Sequence, residues 1–187
     1  MALLDIVIYQ QGVETALTRS GADITVVTDE VRAFLDDLAD TMYMANGVGL
    51  AANQVGDLRR ICVIDTTEDG ASREAREGLL ELINPHVVER SGDLVWEEGC
   101  LSFPELFEEV KRSEWVKVEA LNRKGERFTI EAEGLLSVAL QHEIDHLDGV
   151  LFLDRISRLR RRMALKRFKR IRERLRAQGD ERMGGEA

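Results

Sequence analysis

His142-Glu143-Ile144-Asp145-His146 constrains this chain more than any other stretch. Two histidines at i and i+4 lie one turn apart on one face of an α-helix, so both imidazoles reach a single metal ion. Glu143, between them, is too near such an ion to be an ordinary surface acid and is placed to take a proton from metal-bound water. The segment predicts a helix whose business is hydrolysis.

The 187 residues suffice for one well-packed domain and are short for two. The expectation is therefore a single domain over 1–187, with about 155–187 forming a basic C-terminal helix and tail. Cys62 and Cys100 are too few for a disulfide framework. Met1-Ala2-Leu3-Leu4-Asp5 has no basic residue before its short apolar run, which argues against a signal peptide. No apolar stretch reaches bilayer-spanning length. A cytoplasmic enzyme without a membrane partner is expected.

The net charge of −9 conceals a division. Residues 1–154 carry 13 Lys+Arg against 31 Asp+Glu, a charge of −18, while residues 155–187 carry 13 against 4, a charge of +9. Two readings fit. The tail meets a polyanionic partner, or it is a solvated helix that neutralises its own acidic body.

Thr28 reads as an N-cap, with Asp29 and Glu30 favourable to the helix dipole and Val31, Phe34, Leu35, Leu38 and Met42 at helical spacing behind it. Asn46-Gly47 supplies the stop. A small, glycine-rich segment, Gly47 to Gly56, precedes a strand over Arg60–Asp65. Residues 66–78 read as a polar surface loop and Asn84-Pro85 as a turn. Val116–Leu121 and Phe128–Glu131 alternate as strands joined through Asn122-Arg123-Lys124-Gly125. A helix from about Leu135 to Leu147 carries the histidines and ends at Gly149. Ser157 caps a last helix towards Gly179. The fold class that follows is α+β: antiparallel strands packed around a central metal-binding helix, with a basic C-terminal helix.

A catalytic metal site normally has three protein ligands and an open position. His86, after Pro85, serves equally well as a surface residue. Cys62 lies inside the apolar run Ile61-Cys62-Val63-Ile64 and reads as core. Cys100 differs. In Glu97-Glu98-Gly99-Cys100-Leu101-Ser102-Phe103-Pro104, glycine permits close backbone approach and proline ends regular pairing. That context suits an exposed sulfur on rigid backbone, and a metal would keep it as thiolate.

With Cys100 added, three segments agree: Gly47-Val48-Gly49-Leu50-Ala51-Ala52-Asn53-Gln54, Glu98-Gly99-Cys100-Leu101-Ser102 and Gln141-His142-Glu143-Ile144-Asp145-His146. His-Glu-x-x-His alone also occurs in unrelated zinc proteases. Together and in this order the three resemble the peptide deformylase family, and the trailing basic helix resembles that of its bacterial class with a C-terminal α-helix.

The resemblance implies metal ligation by Cys100, His142 and His146. It implies iron(II) as the native ion, with zinc, nickel or cobalt able to take the same ligands, although ligand chemistry alone favours zinc. The reaction implied is removal of the formyl group from N-terminal formylmethionine of nascent polypeptides, releasing formate. Metal-bound water attacks and Glu143 carries the proton to the departing amine. Gln54 through its amide and Leu101 through its backbone N–H become donors to the developing oxyanion. Gly49 and its small neighbours admit an extended peptide in the manner of strand addition. Val48, Trp96, Leu135, Val138 and Ala139 match a pocket for the methionine side chain. Asp145 orients a ligand histidine or simply faces solvent. The basic helix resembles one that docks on the ribosome, for which sequence-independent phosphate contacts suffice.

Two stretches depart from the family. Tyr9-Gln10-Gln11-Gly12-Val13-Glu14 lacks the usual Pro-Asp turn, and Glu105-Leu106-Phe107 stands where some members place an arginine. An internal-bond metalloprotease and a deformylase-like protein that binds nascent chains or ribosomes without turnover are the competing classes. The retained Glu143, Gln54 and ligand set argue for chemistry.

Overall fold

The computed structural model describes residues 2–68 and 73–179. Residues 69–72 of the expected polar loop and residues 180–187 of the basic tail lie outside the described residues.

Thr28 caps the first helix as expected, its Oγ1 accepting from the Val31 N–H, and α1 spans Asp29–Met44. Asn46, at a φ of 54°, turns the chain out of it. Strands β1 (Gly49–Ala51), β2 (Ile61–Ile64), β3 (Leu80–Ser91), β6 (Trp115–Leu121) and β7 (Arg127–Glu133) form one antiparallel sheet in the order β1-β2-β3-β6-β7. Strands β4 (Leu94–Cys100) and β5 (Phe103–Arg112) make a separate two-stranded hairpin.

Strand β2 shows why the sheet is covered on both sides. All four of its residues are apolar and buried, and successive side chains point to opposite faces. Ile61 and Val63 pack with Leu35, Leu38 and Met42 of α1. Cys62 and Ile64 pack with Leu140, Ile144 and Leu147 of the second helix, α2 (Gly134–Leu147). Cys62 is thus a core residue, as its sequence context suggested.

Helix α2 is buried from Ser137 through Leu147, the signature of an element with protein on every side. It ends at Gly149, whose φ of 73° and close approach to the backbone of Thr18 and Arg19 leave no room for a Cβ. Ser157 then caps α3 (Arg158–Ala177). The apolar face of α3, Ala164, Leu165 and Phe168, packs with Leu106, Val110 and Phe152. Phe103 sits at the centre of that cluster, with ring centroids 4.7 Å from Tyr9, 5.0 Å from Phe168 and 5.4 Å from Phe152. Helices on both sides of antiparallel strands, with α2 at the centre, match the α+β expectation.

Asn84-Pro85 is not a turn. Both residues lie inside β3, where Asn84 adopts a φ of 52° and the register to β6 shifts between Ile83 and His86. Pro85 has no N–H to give the ladder, and the bulge absorbs that loss. Asn84 instead pairs through its side-chain amide with both backbone groups of Ile24, at 2.8 Å each. Sequence pattern does not reveal β3, β4 and β5, because β3 carries this interruption and the β4–β5 hairpin is rich in glutamate.

Candidate metal centre

Three segments converge on one cleft of about 420 Å³. The 3-10 turn Ala52–Val55 that follows β1 supplies Gln54, the β4–β5 corner supplies Cys100 and Leu101, and α2 supplies the His-Glu-x-x-His residues. The donor atoms of Cys100, His142 and His146 all lie within 4.8 Å of one another, with Cys100 Sγ 3.3 Å from His146 Nε2. Ligands ~2.0–2.3 Å from a tetrahedral ion stand ~3.5 Å apart, so the set fits a small divalent cation. The N-terminal segment braces this corner: Val7 N–H donates to Gln54 O (2.7 Å) and Tyr9 N–H to Ser102 O (2.9 Å).

The Glu98 carboxylate accepts from His142 Nδ1 at 2.8 Å, which leaves Nε2 with its lone pair directed elsewhere. Arg112 holds both oxygens of Glu98, at 2.6 and 2.9 Å, and also donates to Asp145. Arg155 reaches the other side of Asp145. Burial pushes the Glu98 carboxyl upward, yet hydrogen bonds from Arg112 and His142 win and hold it at about 2. Asp145, for which the sequence left two readings, follows neither: it is buried and bonded to two arginines rather than to a histidine. Glu98 fills the orienting role. His146 has no equivalent support, its Nδ1 being buried without a partner among the described residues.

Glu143 lines the cleft and is 4% exposed. Burial, opposed by His142, pushes its carboxyl up to about 7. Its Oε2 is buried with no hydrogen-bond partner among the described residues, which suits a group that awaits a proton from a molecule in the cleft. The Gln54 amide is divided between two tasks. Its Oε1 accepts from the Ala51 N–H (2.9 Å), while Nε2 points at Cys100 Sγ and Ser102 Oγ, 3.4 Å from each. The Oε1 end therefore caps the turn, while the Nε2 end faces the ligand-bearing corner of the cleft.

Val48, Gly49, Trp96, Leu135, Val138 and Ala139, expected from the sequence, all line this cleft, together with Leu101 and Phe107. Val48, Trp96 and Phe107 remain exposed at its rim. His86 lies away from it, near Asp23. Sequence reasoning assigned no role to Glu98, although it stands in a quoted motif, and nothing in the sequence flagged Arg112.

A cysteine sulfur, two imidazoles and a carboxylate with an unpartnered oxygen, gathered at one peptide-sized cleft, define a metal-dependent hydrolase. A family model described as polypeptide deformylase matches residues 3–162. A peptide deformylase from Alkalilimnicola ehrlichii is 44% identical over 186 residues, covering 100% of this chain and 98% of that protein. One from Acetivibrio thermocellus is 48% identical over 163 residues, covering 84% and 91%. Among solved structures, the Legionella pneumophila peptide deformylase matches with a TM-score of 0.83 at 38% identity, over 94% of this chain and 98% of that one. The Ehrlichia chaffeensis peptide deformylase in complex with actinonin matches at 0.81 and 34%, over 91% and 98%. The chain belongs to the polypeptide deformylase family.

Proposed function

We propose that this enzyme, a deformylase acting on formylated nascent polypeptides, works through Cys100, His142 and His146 as ligands of one divalent ion and Glu143 as the proton carrier. The observation that carries this reading is the meeting of those three donors beside an apolar cleft lined by Cys100, His142 and Glu143, whose Oε2 has no partner among the described residues. Bound there, the ion would supply Lewis acidity and make water a stronger nucleophile. Glu143 takes the proton released when the formyl carbon is attacked, and passes it to the departing amine. Gln54 Nε2 and the Leu101 N–H face the developing oxyanion, a role worth roughly 3–4 kcal/mol per donor. The substrate backbone lies along the edge strand β1 at Gly49, and the methionine side chain enters among Val48, Trp96, Leu135, Val138 and Ala139. Actinonin, held by the Ehrlichia chaffeensis relative, is expected in the same cleft.

Iron(II) is the ion we assign in the cell; the family resemblance supports it, and zinc, nickel and cobalt suit the same donors. The cytoplasm is the compartment assigned, since Cys62 and Cys100 are both free and no described helix is long and apolar enough to cross a membrane. The whole of 1–187 is taken as one domain.

Ribosome docking is assigned to one face of α3. Arg160 and Arg167 grip Glu108, Arg174 grips Glu105, and Arg161 pairs with Asp154, so those charges neutralise the acidic body. Arg158, Arg162, Lys166 and Arg170 are exposed at four-residue spacing, with Lys169 beside the last of them. Both readings of the basic tail thus apply to different side chains of one helix. Charge reversal of the outward set should weaken salt-sensitive ribosome binding; unchanged binding would refute the docking assignment.

Formate release from a formyl-Met-peptide by anaerobically prepared protein tests the chemistry. Collapse of that release in Glu143→Ala, by ~10²–10⁴-fold with the metal retained, is the expected outcome. Internal peptide cleavage, or binding without formate, would replace this reading with one of its competitors.

A further inference from the structure

Gly49 has no conformational reason to be glycine. It lies in the regular strand β1, where glycine weakens pairing, and it is not among the glycines at positive φ. Its reason is steric. A Cβ at Gly49 would stand 2.4 Å from Glu143 Oε1, 2.8 Å from Cδ and 2.9 Å from Cγ. Three successive atoms are involved, so turning the terminal carboxylate relieves nothing and the whole side chain would have to swing away.

That contact matters because Glu143 is held by little else. Glu98, at the same site, is fixed by Arg112 and His142. Glu143 Oε2 is buried without a hydrogen-bond partner among the described residues, so the direction of the side chain leans on packing. The surface it packs on is firmly anchored. Gly49, Leu50 and Ala51 pair with Ile64, Val63 and Cys62, the Asp65 N–H donates to Val48 O at 2.9 Å, and Arg73 donates to Gly47 O.

We infer that Gly49 is a positioning residue for the reaction: its bare Cα is the wall against which the Glu143 side chain rests, and that wall aims the proton-accepting oxygen. This rests on the role given to Glu143 above. It is separate from any contact Gly49 makes with the substrate backbone, because it acts through the acid and not through the peptide.

A double-mutant cycle on the metal-loaded enzyme tests it, using wild type, Gly49→Ala, Glu143→Ala and the double variant. Formate release and thermal melting are read for all four. Gly49→Ala should lower kcat by ~10²-fold with KM little changed, as expected for an acid displaced by about an ångström. In the Glu143→Ala background the same substitution should cost at least about tenfold less in kcat than it does in wild type, whatever it does to KM, and the fall in Tm that it causes in wild type should vanish. Equal losses in both backgrounds, or an effect confined to KM, would overturn the inference and leave Gly49 as a substrate contact only. If the wild-type enzyme released no formate, the role of Glu143 would fall instead, and additivity or non-additivity in the melting cycle would still decide whether Gly49 holds it.

Discussion

Glu98 Oε2 lies 2.8 Å from His142 Nδ1, and the same carboxylate is clamped by Arg112, whose side chain is 3% exposed. One buried acid therefore sets the tautomer of a proposed metal ligand and neutralises a buried cation. Glu98→Gln should weaken metal binding ~10–100-fold, as loss of such outer support does elsewhere. It should also destabilise the fold by about 3–5 kcal/mol, since Arg112 would keep only Asp145. Metal titration against a competing chelator and denaturant melts check the two effects separately.

Replacement of Gln54 by glutamate should separate its two tasks. The variant keeps an oxygen for the Ala51 N–H but loses the Nε2 donor. A fall in kcat of ~10²–10³ is expected, with stability closer to wild type than in Gln54→Ala. Steady-state kinetics and melting of both variants measure the difference.

Phe103 joins the N-terminal segment, the ligand-bearing corner and α3 through its three aromatic neighbours. Phe103→Ala should cost about 3–5 kcal/mol and loosen α3 from the body. Hydrogen exchange confined to residues 158–177 and to the Tyr9 segment would report that loosening, whereas uniform protection loss would count against it.

Asp65 offers a pH test remote from the ion. Burial raises its pKa, but hydrogen bonds from the Tyr43 hydroxyl (2.6 Å) and Thr67 N–H (2.9 Å) outweigh this and lower it. A carboxyl depressed in the fold contributes its stability above the unfolded value, roughly pH 4, and loses it as pH falls through the folded value. The Tm advantage of wild type over Asp65→Asn should therefore be constant above about pH 5 and shrink below about pH 4. An advantage that grows on acidification would contradict the assignment.

Of the three proposed ligands Cys100 is the one open to oxidation, and iron(II) is the one ion in the candidate set that air readily oxidises. Iron-loaded enzyme should lose formate release on aeration while nickel- or zinc-loaded enzyme keeps most of it. Equal decay for all loadings would place the lesion at the sulfur alone.

Much was legible from sequence because it depends on neighbours in the chain. The caps at Thr28 and Ser157, the i, i+4 histidines, the β6–β7 hairpin and the apolar β2 all follow from local periodicity and turn chemistry. The grouping of Cys100, His142 and His146 was legible for a different reason: three short segments resemble one family. Asn84-Pro85 misled because proline in a strand looks like a turn until a bulge and a partner such as Ile24 are seen.

The sequence by itself determined the helix that carries the chemistry, the donor types and the polarity split between body and tail. Only the tertiary structure decided which acid supports His142, why Gly49 has no side chain, and which arginines of α3 are already paired. Those facts are contacts between residues tens of positions apart, and no periodicity encodes them; they exist once β1, the β4–β5 corner and α2 are packed against one another.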